Sequence, residues 1–168
     1  MGEVKNLVSS EAVEKLKKLA EDANICMFIT NLSQTPLAAR PMATQEVDEE
    51  GNIWFLSKDE TDKNTDILKD SRVQLIYATN SNFEYLSVYG EAEISRDQER
   101  IDKYWSKINE TWFKEGKEDP SITLIKVQPH DVYYWDTKNN KLVSLIKLVA
   151  GVVTGKHDDN GVEGKLKV

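Results

Sequence analysis

From Leu86 to Ile94 the chain alternates with period two: Leu86, Val88, Gly90, Ala92 and Ile94 face one way, and Ser87, Tyr89, Glu91 and Glu93 the other. Such a strand has one face on a core and the other wet or at an interface. Gly90 in its middle marks a bend or bulge, as barrel corners require. Other short runs read as strands. Ile25 to Leu32 (ICMFITNL) is apolar on both alternating faces, as a strand packed on both sides would be, and Leu37 to Thr44 (LAARPMAT) follows a Ser-Gln-Thr-Pro turn. Ile53 to Ser57 (IWFLS) and Arg72 to Thr79 (RVQLIYAT) come next. Ile122 to Val127 and Val132 to Trp135 are two further strands, or one long strand bent at Pro129. About six or seven short strands, few helices and no βαβ alternation predict a mainly β fold, an antiparallel barrel with peripheral helices.

Three segments carry helical periodicity. In Ser9 to Ala23 the residues Ala12, Val13, Leu16, Leu19, Ala20 and Ala23 share a face, with Ser9 placed to cap the first turn. Ser95-Arg96-Asp97-Gln98 reads as a capping box before Ile101, Tyr104, Trp105 and Ile108. Leu142, Val143, Leu145, Ile146 and Val149 fit a last amphipathic helix stopped at Gly151. Residues 155–168 (GKHDDNGVEGKLKV) read as a polar tail, or as a segment ordered only by contacts.

With 168 residues, 39% of them hydrophobic, the chain suits a single domain, 1–168, with a real core. Asp and Glu outnumber Lys and Arg by 29 to 22, and the net charge of −7 argues against a general nucleic-acid binder. No apolar stretch is long enough to span a bilayer, and MGEVKNLVSSEAVEK lacks a signal-peptide run. The expectation is a cytoplasmic protein with no membrane partner. The single cysteine, Cys26, lies inside an apolar strand with no nearby cation, and reads as a buried core thiol.

Arg40 immediately precedes Pro41, and proline cannot donate to a ladder, so this strand is an edge or bulged. A guanidinium fixed beside irregular strand backbone suits an anion; an ordinary surface arginine on an edge strand fits the residues equally well. In Ser57 to Ile67 (SKDETDKNTDI) a strand ends, a polar turn follows and a helix begins near Thr61 or Asp62. Ser57, Thr61, Lys58 and Lys63 thus cluster at a helix N-terminus, where free N–H groups favour a phosphate. The loop has no glycine and is no P-loop, and its acidic residues also fit a capped surface helix. Glu46 to Gly51 (EVDEEG) reads as a solvated turn.

His130, His157 and Cys26 are too isolated for a metal site, and no GxSxG, HExxH or CxxC occurs. Asp158 and Asp159, beside glycines, read as solvated. No side chain stands out as catalytic, so any chemistry points to a bound cofactor.

The ordered set ARPM (39–42), WFLSKDETDK (54–63), YLSVYGEAEI (85–94), WFKEGKEDP (112–120) and YYWD (133–136) resembles the general stress protein 26 group of the pyridoxamine 5'-phosphate oxidase-like, FMN-binding split-barrel family. The resemblance runs from about Ala12 to the C-terminus. It implies a six-stranded split barrel that forms a homodimer, with FMN in two grooves between the subunits. By that resemblance Arg40 and Lys63 hold the FMN phosphate, with Ser57 and Thr61 adding hydroxyl contacts. The backbone of Pro41, Met42 and Leu56 packs along the flavin ring, and Trp112, Phe113 and Trp135 reach the site from the other subunit. The implied activity is a flavin oxidoreductase acting on a small-molecule substrate or reductant, or a non-catalytic flavin-binding stress protein. A deazaflavin or haem in the same groove is a lesser alternative. Pyridoxamine-phosphate oxidases proper carry a further basic pair near the C-terminal strand, where this chain reads DTKNNKL. Asp62 also stands where they commonly have a basic residue. Both departures argue against oxidation of pyridoxamine phosphate.

Overall fold

The computed structural model describes residues 3–79, 83–137 and 161–168. In chain order these form β1 (Glu3–Val4), β2 (Leu7–Val8), α1 (Ser9–Ala23), β3 (Ile25–Thr30), β4 (Ala38–Ala43), β5 (Glu46–Val47), β6 (Ile53–Lys58), α2 (Asp62–Lys69), β7 (Arg72–Thr79), β8 (Glu84–Ser95), α3 (Gln98–Tyr104), two 3₁₀ turns (Lys107–Thr111 and Gly116–Glu118), β9 (Ile122–Thr137) and β10 (Gly161–Lys167). The helix expected over 142–149 and residues His157, Asp158 and Asp159 lie outside the described residues.

Six antiparallel strands make the frame, in the order β4-β3-β7-β8-β9-β6. The first half of β9 pairs with β6 and its second half with β10, while the short β1 and β2 run parallel to β10. The sheet curls into a barrel that does not close, because the chain changes partners after β4. Thr44 N donates to Asn24 O on the β3 side, and the next amide, Gln45 N, donates to Trp54 O on β6. Among the described residues β4 otherwise pairs only with β3, and β6 beyond Trp54 only with β9, which leaves a seam between them. By the two-residue period of a strand, Met42 and Arg40 turn their main-chain polar groups to β3, and Ala43 and Pro41 turn theirs to the seam. Pro41 therefore removes no ladder bond, which is the edge position its sequence requires.

Two cores fill the molecule. The larger holds Phe28 and Phe55 in an edge-to-face pair (centroids 5.1 Å apart), with Tyr77, Leu75, Val88, Leu86 and Tyr134, and is covered by Ala12, Leu16, Leu19 and Ala20 of α1. The smaller lies under α3 and contains Trp54, Ile101, Tyr104, Phe113, Ile122 and Leu124. Each large apolar side chain fully buried in these clusters contributes about 1.5–3 kcal/mol. β8 and β9 shift register at Tyr89/Gly90, where Gly90 faces Pro129. A Cβ on Gly90 would stand 2.2 Å from Gln128 O, so only glycine lets the strands touch there.

The structure corrects several local expectations. β3 is not covered on both sides: Cys26, Phe28 and Thr30 are buried, but Ile25 and Met27 are 54% and 43% exposed. Ser9 does not cap α1; it is the helix's first residue, at φ 55°, and Val8 at the cap position offers no side-chain acceptor. α3 is capped by Asp97, whose carboxylate accepts from Glu99 N and Arg100 N, rather than by Ser95. The helix stops at Tyr104, leaving Ile108 exposed. The strand pair expected around Pro129 is one strand, β9. The end of the polar tail is β10, because each of its residues from Gly161 to Leu166 finds a partner on β9.

Candidate anion site at the open seam

The turn from β6 into α2 is stitched by one buried amide. Asn64, 2% exposed, accepts from Ser57 Oγ (2.8 Å) and donates to Thr123 Oγ1 (3.0 Å), which joins the end of β6, the first turn of α2 and β9. Thr61 sits at the cap position with extended dihedrals but its hydroxyl does not cap the helix; it donates to Lys58 O at 2.8 Å. The N–H groups opening α2 are thus left without a side-chain cap, at the positive end of the helix dipole.

Lys63 reaches back over this turn, and its Nζ donates to Thr61 Oγ1 at 3.1 Å. Among the described residues no carboxylate pairs with it, although it is half-buried. Burial, and then the neighbouring charge of Arg40, hold its pKa below the usual lysine value. Arg40 projects from β4 on the Phe28 side of the sheet. Its Nη1 donates to Thr30 Oγ1 (2.7 Å) and, at 3.4 Å, to Phe28 O. Thr30 in turn donates to Asp66 Oδ2 at 2.6 Å. Burial lowers the Arg40 pKa, against the opposing pull of Asp66 and Asp62. Two cations, one of them without a carboxylate partner among the described residues, therefore stand beside uncapped helix amides. That is the donor set of an anion site, and a phosphate fits it in charge and in hydrogen-bonding capacity.

Not every candidate joins this cluster in the same way. Pro41 and Met42 lie on one arm of the seam and Leu56 on the other, with Leu56 and Met42 part-buried. The Ser57 hydroxyl is buried and donates to Asn64, which ties it into the turn. Phe113 is 5% exposed and packs on Trp105 (6.0 Å) in the chain's own smaller core, which commits its ring there. Trp112, its neighbour, is 72% exposed. Trp135 is 41% exposed on β9, beside Tyr133, and three strands separate it from β4. Within one chain neither tryptophan is among the contacts of Arg40 or Lys63. Thr30, Asn64 and Asp66 were missed from sequence. Asn64 and Asp66 fall one and three residues after Lys63, but nothing local marks them as tied to strands far along the chain.

The outer face of the sheet is apolar along a continuous band. Ile25 and Met27 on β3, Ile76 on β7, Tyr85 on β8 and Trp135 on β9 are all exposed on it. Among the described residues no group of three or more metal-ligating side chains occurs, and no helix is long and apolar enough to cross a membrane.

Comparison with known proteins places this geometry. The model of the family described as pyridoxamine 5'-phosphate oxidase like matches residues 11–159. General stress protein 26 of Bacillus subtilis is 36% identical over 61 residues, covering 36% of this chain and 43% of that protein. A structure from Jannaschia sp. CCS1 described as a general stress protein 26 superposes with a TM-score of 0.76 at 22% identity, covering 95% of this chain and 99% of that one. The general stress FMN/FAD binding protein of Xanthomonas citri superposes with a TM-score of 0.64 at 24% identity, over 75% of this chain and 89% of that one.

Proposed function

Because the chain belongs to the pyridoxamine 5'-phosphate oxidase-like family, we propose that it binds FMN in the seam between β4 and β6 and serves as a flavin oxidoreductase for a small substrate in the cytoplasm. The observation that carries this reading is Lys63: a half-buried ammonium with no carboxylate partner among the described residues, next to Arg40 and to uncapped helix amides. Holding that charge unpaired costs stability, and a bound phosphate returns it. A flavin-binding relative of the same fold supports the choice of cofactor.

In this reading Arg40 and Lys63 bind the phosphate, and Asn64 keeps the turn in shape behind them. Thr61, which already accepts from Lys63, stands at the same turn. In this reading the seam edges at Pro41 and Leu56 offer main-chain groups to the flavin ring, and Met42, whose main-chain groups pair with β3, packs beside them. FMN supplies the hydride or electron transfer when bound, which the chain's own side chains do not provide. The protein contributes orientation and a site partly shielded from water.

The second copy enters through the outer face. Ile25, Met27, Ile76, Tyr85 and Trp135 make an exposed apolar band on that face, the kind of surface that marks an interaction site. Pairing two copies there would make a homodimer in which the exposed Trp135 and Trp112 of one subunit can complete the flavin groove of the other.

Titration with FMN tests the reading. The wild type should give a yellow complex, and Arg40→Ala should weaken it by about 1.5–3 kcal/mol, or roughly ten- to 150-fold. Absence of FMN affinity in the wild type would sink the proposal. Anaerobic mixing of the complex with NADH or NADPH should bleach the flavin; no bleaching with any reductant would leave a binding protein without the enzyme activity.

A further inference from the structure

Arg40 is not a free surface arginine; one side of its guanidinium is already spoken for. Nη1 donates to Thr30 Oγ1 at 2.7 Å, and the Thr30 hydroxyl donates its own hydrogen bond to Asp66 Oδ2 at 2.6 Å. Asp66 does not hydrogen-bond the arginine directly, since its closest approach is 3.9 Å from Nη2. The threonine is fully buried and comes from β3, while Asp66 comes from α2, so the relay links the two elements on either side of the arginine.

The consequence is geometric. A guanidinium has five N–H donors in a rigid planar fork, and its Nε/Nη2 edge matches two oxygens of a phosphate or carboxylate. Among the described residues only Nη1 has a hydrogen-bond partner. The relay therefore fixes the fork by its far corner and leaves the bidentate edge open. The Asp66 carboxylate stands 3.9 Å from Nη2, an ion pair beyond hydrogen-bonding distance that leaves the N–H groups of that edge undonated.

We infer that Thr30 and Asp66 are positioning residues that aim the Nε/Nη2 edge of Arg40 at the terminal phosphate of the ligand. Thr30 acts as an adaptor: its oxygen accepts from the arginine and its proton goes to the carboxylate, a combination that neither valine nor alanine offers. The inference rests on the FMN reading above and deepens it, since it makes the phosphate a group that the site reads and not merely tolerates.

Titrations with FMN and with riboflavin, which lacks the phosphate, isolate this role. Thr30→Val keeps the shape of a buried side chain, and Asp66→Ala alters a half-exposed helix position. Both should lower FMN affinity by about tenfold and leave riboflavin affinity within twofold. Thr30→Ser keeps the hydroxyl and should restore FMN binding to within about twofold of the wild type. Equal losses for the two flavins would show a merely structural role and overturn the inference. So would unchanged FMN affinity in Thr30→Val and Asp66→Ala. A wild type that binds riboflavin as tightly as FMN would refute a phosphate-reading site altogether. A wild type that binds neither would refute the FMN reading itself, and the inference with it.

Discussion

Replacing Lys63 by methionine should move stability and ligand affinity in opposite directions. Methionine keeps an unbranched apolar stem but removes the ammonium. In the folded protein that ammonium is half-buried, donates among the described residues only to Thr61 Oγ1, and feels Arg40. Burial first, then Arg40, places its pKa below the ordinary lysine value of 10.5. The sign follows from linkage: a folded-state pKa below the unfolded one means that protonation favours the unfolded chain. The penalty is fully present below the folded pKa, and it fades as the pH rises from there towards 10.5. At pH 7 Lys63→Met removes it. Because the side chain is still partly hydrated, the gain is discounted to the scale of exposed charge pairs, about 0.2–1 kcal/mol. For a chain of this length that is up to roughly 2–4 °C in Tm. Against this, loss of a charge-assisted phosphate contact should weaken FMN by about 1.5–3 kcal/mol, a roughly ten- to 150-fold rise in Kd. Urea denaturation without flavin, at one fixed protein concentration and at pH 7 and 9.5, reads the first effect; fluorescence titration with FMN reads the second. The variant should be the more stable protein at pH 7, with a smaller advantage at pH 9.5. A flavin-free variant less stable than the wild type, or one that binds FMN unchanged, would refute the account of Lys63 as a cation held for a phosphate.

Two further outcomes follow from burial. Met27→Asp places a charge in the middle of the exposed outer band, so it should convert a dimer into a monomer with little effect on folding, as sedimentation at micromolar concentration would show; a dimer that survives would place the interface elsewhere. Cys26 is 1% exposed and burial pushes its thiol up to about 12, so a disulfide reagent at pH 8 should label it only in denaturant.

Much of this protein is written locally. Period-two alternation in β8, the span of α1 from Ser9 to Ala23, and the edge position forced by Pro41 need no tertiary information, because backbone sterics and the burial of one face act residue by residue. The same holds for two cations, Arg40 and Lys63, each beside a feature that favours an anion. Their sequence contexts each allowed an ordinary surface charge. What bears on the choice is non-local: whether a carboxylate among the described residues pairs with Lys63, and which partners restrain Arg40.

Other features existed only once the chain had closed on itself. ICMFIT reads as covered on both faces, yet Ile25 and Met27 are exposed among the described residues, because composition reports that a surface is apolar without saying what will cover it. Phe113 and Trp112 are adjacent in sequence, but one fills the smaller core and the other faces solvent, a choice made by the packing of α3 on β6 and β9. The polar end of the chain became β10 because β9 had an open edge to offer it. The sequence by itself thus determined the strands of the six-stranded frame, the family they belong to and the charges available to a ligand. Only the tertiary structure decided that Thr30, from an apolar strand, and Asp66, from a helix 36 residues later, would meet at Arg40. The physical reason is that hydrogen bonds between distant segments leave no periodic trace in the chain; they depend on the curl of the sheet and on where the barrel stays open.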